Sequence, residues 1–325
     1  MALHSLGWTV EKKATATKPG LTAEDRVRIK ETYDIAEKYA EQIWPNWNKA
    51  PWSLVLVTDD YEYLVRHTKS PQDFKALAYD SLLESQVYFR KRSFDAGFLA
   101  TFFVNGTPTM IVGPPTNTGK SSSEWVVALL HEHFHQLQYS QPDYSASVDS
   151  LNLSGGDKSG MWMLNYPFPY DSSKVDKQFR KLCQSILKTL EAREENFSKK
   201  LAEYKKTREE LKNILNEKDY KYFSFQIWQE GIARYVELKI AKLLSTDYKP
   251  SPEFESLPDY TPFSQVAQKL EDGIMNDLMN MSFKEYKRVA FYSLGAAEAL
   301  ILDKNSPKWE YLYFRKKFFI DQYSD

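Results

Sequence analysis

The 325-residue chain has a single cysteine, Cys183, which excludes an internal disulfide framework and leaves the thiol count silent on compartment. Within the helical-looking run KLCQSIL that lone thiol reads as a small buried apolar residue. No apolar run approaches the ~18 residues of a membrane span, and the first 20 residues lack the apolar stretch of a signal peptide. The expected compartment is cytoplasmic if the chain is complete, and exported if a leader was removed. An excess of either charge is missing too: 43 Lys and Arg against 44 Asp and Glu leave a net charge of −1. That balance argues against a general nucleic-acid binder. Histidine is scarce, with five in the chain and none after His135. Between Pro169 and Pro250 there is no proline, and Gly231 is the sole glycine.

Periodicity supplies the architecture. Residues 22–43 carry a helical pattern with Thr22 as its N-cap. WSLVLVTD at 52–59 reads as a buried strand, and GFLATFFV and TPTMIVG flank Asn105-Gly106, a strong hairpin signal. A small, partly antiparallel sheet is expected over about 52–113. Ser121 and Glu124 then form a capping box ahead of WVVALLHEHFHQLQY, a helix closed off by Pro142. Apolar residues from Val175 to Leu215 recur at three- and four-residue steps, giving one long helix or a hairpin of two. Further helices are expected around 224–245 and 284–303. Sheet first and helices after makes the class α+β. The expected division is 1–120 for the N-terminal helix and sheet, and 121–325 for a helical part with a long helical insertion at about 173–218.

The stretch GPPTNTGKSSSEWVVALLHEHFHQLQ suggests two sites. A phosphate loop needs four residues between its first glycine and Gly-Lys-Ser/Thr, whereas Gly113 and Gly119 enclose five before Lys120 and Ser121. Pro114 and Pro115 also remove two N–H donors from the loop. The segment therefore reads as a turn that caps the next helix. The second half contains His131, Glu132 and His135 as H-E-x-x-H. On a helix the two histidines lie about 40° apart, so both imidazoles can take one Zn²⁺. Glu132 between them can act on a water that the metal activates. His133 falls on the other side and reads as a packing residue.

With no histidine downstream, the third protein ligand must be a carboxylate, and the best candidate is Glu230 in WQEGIARYVE. Gly231 beside it lets the backbone approach another helix closely. Arg234 and Glu237 share the face of Glu230 and can hold the ligands through hydrogen bonds.

WQEGIARYVE resembles the W-x-N-E-G-x-A-x-Y-x-E segment that carries the third zinc ligand of aminopeptidase N-type gluzincins. FYSLGAAEAL at 291–300 resembles that family's Y-x-x-G-[A/F] segment. The resemblance implies a zincin-like fold, peptide hydrolysis, Glu230 as third ligand and Tyr292 as oxyanion stabiliser; the oxyanion of that reaction needs a donor beyond the zinc, and Tyr292 or Arg234 fits. Positions 136–229 lie between the second histidine and Glu230, a longer interval than the family's, and the G-x-M-E-N strand motif that recognises a free N-terminus is absent. The resemblance is thus to the wider gluzincin group, with endo- or aminopeptidase action left open.

The expected function is a zinc-dependent peptidase acting on a peptide or protein. Glu132 serves as general base and acid, and strand 98–104 or 108–113 offers an edge to an extended substrate. The alternative is a zincin-like module that binds metal and peptide without turnover. Of the remaining features, KWEYLYFRKKFFIDQY reads as an amphipathic terminal helix and Asp59-Asp60 as a turn. MWMLNYPFPY at 161–170 either walls a cleft or packs its loop. His4 and His67 have no ligand-type residues near them in sequence.

Overall fold

The computed structural model describes residues 18–323; the readings of residues 1–17, His4 included, lie outside the described residues. A helix, α1 (Ala23–Ile43), precedes six strands: β1 (Ser53–Val57), β2 (Tyr61–Val65), β3 (Lys75–Asp80), β4 (Ser85–Lys91), β5 (Leu99–Val104) and β6 (Thr107–Val112). Thr22 does cap α1, its hydroxyl accepting from the Asp25 N–H. The strands form one mixed sheet in the order β3-β4-β2-β1-β6-β5. Only the β1–β6 pair is parallel.

Asn105 and Gly106 both take positive φ, 45° and 80°, and join β5 to β6 by the tight turn their chemistry favours. Since β6 lies between β1 and β5, it has no free edge. Of the two hairpin strands expected to present one, only β5 does.

Alternation along β1 divides the core. Leu54 and Leu56 face the helices, while Val55 and Val57 join a smaller cluster with Leu64, Phe74 and Ile111 on the opposite face. Helix α2 (Ser122–Tyr139) crosses the helical face, with the expected capping box of Ser121 and Glu124 at its start. The Trp125 indole donates to the Gly113 carbonyl at 2.7 Å and pins the strand-to-helix connection.

The rest of the chain is helical, and the class is α+β. Helices α3 (Ser173–Leu190) and α4 (Glu194–Ile214) make the hairpin, so the long periodic run is two helices. Buried Arg208 of α4 meets Glu298 at 2.7 Å, and Tyr204 donates to the same carboxylate, which locks the hairpin onto the body. Helix α5 (Glu217–Gln226) runs through one π-helical turn, Ile227–Gly231, into α6 (Ile232–Asp247). Helix α7 (Phe263–Asn280) and helix α8 (Ala290–Asn305) complete the body.

Two expectations change. The helix expected over 284–303 breaks at Lys287, whose φ is +48°, and α8 starts only at Ala290. No amphipathic terminal helix forms either: 308–323 is a set of short turns whose Trp309, Tyr313, Phe318, Ile320 and Tyr323 are buried. Its buried aromatics are interleaved with exposed Tyr311, Arg315 and Lys316, so burial does not follow one helical face. At 161–170 the packing alternative holds, with Tyr166 stacked on Tyr222 at 4.4 Å and Phe168 buried. Cys183 is buried, and burial pushes its thiol pKa up. No helix among the described residues is long and apolar enough to cross a membrane.

The contact that sets the geometry of the helical body is between two glycines. A methyl group on Gly295 would sit 2.6 Å from the Gly231 Cα and 3.0 Å from the Ile227 carbonyl oxygen. Here α8 and the π-turn touch through backbone alone, which brings the residues beside both glycines together. Gly295→Ala is expected to destabilise the fold by about 1–3 kcal/mol through overpacking. Gly273→Ala, with nothing within 4 Å of the added methyl, is expected to stabilise by about 0.5–1 kcal/mol through helix propensity. Urea unfolding of the two variants checks this; equal effects would show that the helices separate at no cost.

Candidate metal centre

The site begins on α2. His131, Glu132 and His135 are buried in the third and fourth turns, at 6%, 5% and 5% exposure, and the two imidazoles turn toward one another with Nε2 atoms 3.1 Å apart. The π-turn supplies the next group. Its extra residue swells the helix locally, a device found often at functional positions, and Glu230 projects from it. Glu230 Oε2 lies 3.3 Å from His135 Nε2 and 3.9 Å from His131 Nε2. Ligand atoms of all three residues fall within 4.8 Å of one another, and this group could hold a metal ion.

Two observations test that fit. A tetrahedral ion with ligands at 2.0–2.2 Å needs donors about 3.3–3.6 Å apart, and the three separations bracket that figure. The second is the hydrogen bonding behind each imidazole. Glu237, an acceptor, lies 3.1 Å from His131 Nδ1. Gln138 Oε1 lies 2.6 Å from His135 Nδ1, and its orientation follows from its neighbours. The Gln138 amide nitrogen donates to the Gln229 carbonyl and to the Tyr313 hydroxyl, which itself donates to the Trp228 carbonyl. Gln138 therefore presents its oxygen to His135 Nδ1, where the Gln229 amide nitrogen also lies at 3.1 Å, and Glu237 presents its oxygen to His131 Nδ1. The two Nε2 atoms lie 3.1 Å apart on the side away from these partners, where a cation that displaces hydrogen from Nε2 can take both.

Around this core the remaining groups take defined places. Arg234 grips Glu237 at 2.7 Å, so it supports His131 through Glu237. Among the described residues no ion pair joins it to Glu230, and its guanidinium lies 5.6 Å from the centre of the Tyr292 ring. The Tyr292 ring lies parallel to His131 at 6.0 Å. Arg288, on the turn before α8, donates both to Glu230 Oε1 and to the Tyr292 hydroxyl, each at 3.0 Å. Thr101 on β5 lies 2.8 Å from Glu132 Oε2 and 3.0 Å from its carbonyl oxygen, so the edge strand touches the carboxylate directly. His133 points away and stacks on Trp52 at 3.4 Å, with burial holding its pKa well below the usual range. His67 lies outside the centre, its Nε2 2.9 Å from the Val104 carbonyl oxygen.

Burial raises the Glu230 pKa, but His135, His131 and Arg288 outweigh it and keep the carboxyl ionised far below its ordinary range. Tyr292 moves well above its ordinary value, through burial and the Glu230 charge, and so keeps its proton. Burial would lower His131, yet Glu230 and Glu237 push it up to about 9. A folded pKa above the unfolded value of about 6.5 means stability that is fully present below pH 6.5 and lost as pH rises through 9. A metal at Nε2 must displace that proton, so its affinity is expected to climb over the same window. Zinc titrations at pH 6.5, 7.5 and 8.5, with released protons counted, check this; an affinity that is flat across them contradicts it.

The sequence 113–121 has its backbone N–H groups committed elsewhere. Gly113 donates to Phe98, Thr118 to Pro114, Lys120 to Pro115 and Ser121 to the Glu124 side chain, so the loop has no converging set for a phosphate. Sequence reasoning missed Thr101, Gln138 and Arg288. Only Arg288 left a trace, four residues before Tyr292, and the break at Lys287 hid it. No family model, curated protein or solved structure matches the chain.

Proposed function

We propose that this chain is a zinc-dependent peptidase of gluzincin type, built on a zincin-like fold. The observation that carries the reading is the convergence of His131, His135 and Glu230 at metal-ligand spacing with Glu132 beside them, held by the edge strand. When bound, zinc would supply a Lewis acid that polarises the scissile carbonyl and makes water acidic enough to attack at neutral pH.

The chain's own residues do the rest. Glu132 takes the proton of the attacking water and passes it to the leaving amine. Thr101 holds the carboxylate on the side of β5, where an extended peptide can pair with the free edge. The Tyr292 hydroxyl accepts from Arg288 and keeps its proton beside the Glu230 carboxylate, from which it turns to donate to the developing oxyanion. Glu237 and Gln138 keep the imidazoles in the tautomer that binds metal.

Titrating the chelator-stripped chain with zinc while following cleavage of a peptide mixture tests this. Activity should rise to a plateau at one ion per chain. A loaded chain that cuts no peptide contradicts the reading.

A further inference from the structure

A cavity of about 270 Å³ opens directly beside the centre, and Glu237, Arg234 and Tyr292 line it on that side. It is smaller than the 300–1,000 Å³ of ordinary small-molecule pockets and suits a single side chain. Its far wall is α7, with Leu270 and Ile274 supplying apolar contact. The loop that failed as a phosphate site closes it: Gly119 and Lys120 form its rim.

The charges in the cavity are not balanced pair by pair. The lining carries three cations and three carboxylates; Lys269 is joined to Glu124 and Arg234 to Glu237, while Asp277 takes the Ser293 hydroxyl and has no ion pair among the described residues. Lys120 is half-buried, and among the described residues no carboxylate lies within ion-pair distance of its ammonium. A half-buried cation without a partner, at the mouth of a side-chain-sized cavity that adjoins the reacting groups, is a site for an anion.

We propose that this cavity is a specificity subsite for a carboxylate, the side chain of an Asp or Glu flanking the scissile bond, with Lys120 as its counter-charge. The proposal rests on the peptidase reading for its substrate, and its test separates the two. A peptide library cut by the zinc-loaded chain should show Asp or Glu enriched at one position beside the cut. For matched Asp and Asn peptides, kcat/KM should favour Asp by about tenfold, the size expected for one partly buried charge pair. Lys120→Met should bring that ratio to about one, and Lys120→Glu should turn the preference toward Lys.

Cleavage without acidic preference, or a ratio that survives Lys120→Met, overturns the subsite and leaves hydrolysis standing. If no peptide is cut, anisotropy with labelled Asp and Asn peptide pools on the zinc-loaded chain decides separately. Tighter binding of the Asp pool, lost in Lys120→Met, supports the subsite; equal binding, or none, overturns it.

Discussion

Glu132→Gln is expected to lower kcat for peptide hydrolysis by about 10²–10⁴-fold, the usual contribution of a positioned general base. Zinc content should stay at one per chain, because Glu132 lies outside the ligand group of His131, His135 and Glu230. The amide is isosteric and its oxygen can still bond to Thr101, which holds the carboxylate at 2.8 Å. The fold and the helix should therefore be undisturbed. Metal analysis, thermal melting and kcat on the same preparation separate loss of chemistry from loss of metal. If turnover persists with zinc bound, another group moves the proton and the assignment of Glu132 is wrong.

The second large effect falls on the phenol. Tyr292→Phe is expected to reduce kcat by about 10²–10³-fold, as removal of one oxyanion donor does, with little change in KM. The ring can keep its place over His131, so packing survives while the donor is lost. In the proposed role Arg288 would orient the hydroxyl, since it donates to the phenol oxygen at 3.0 Å, and burial with Glu230 keeps the phenol proton in place. An unchanged kcat would mean the phenol never meets the reacting carbonyl. A loss confined to KM would make it a binding contact.

Some of this was readable in sequence because the signals are local. Asn105-Gly106 fits its turn through backbone preference alone, and the Ser121–Glu124 box closes within one helical turn. The shared face of His131 and His135 follows from helix geometry. Glu230 could be named because the chain offers no histidine downstream, and Gly231 foretold a close crossing, which Gly295 completes.

What was hidden depends on three-dimensional choices. The π-turn that aims Glu230 has no composition of its own. The break at Lys287 depends on a strained φ that a lysine rarely takes, and it turns an expected long helix into a turn that delivers Arg288. The terminal segment mixes bases with aromatics and looked amphipathic, but core demand won and its aromatics went inside. Gln138 and Tyr313 reveal their role only when 175 positions of separation collapse to a 2.6 Å hydrogen bond.

The central claim is that peptide bonds are hydrolysed at the ion held by His131, His135 and Glu230. Its most direct measurement is a mass-spectrometric cut map of one diverse peptide library, taken with the zinc-loaded chain, the chelated chain and zinc-loaded Glu132→Gln. The account predicts cuts in the first digest alone, with zinc restoring them to the second; their positions then decide between internal and N-terminal cleavage. Full zinc loading with no cuts, or the same cuts in all three digests, would contradict it.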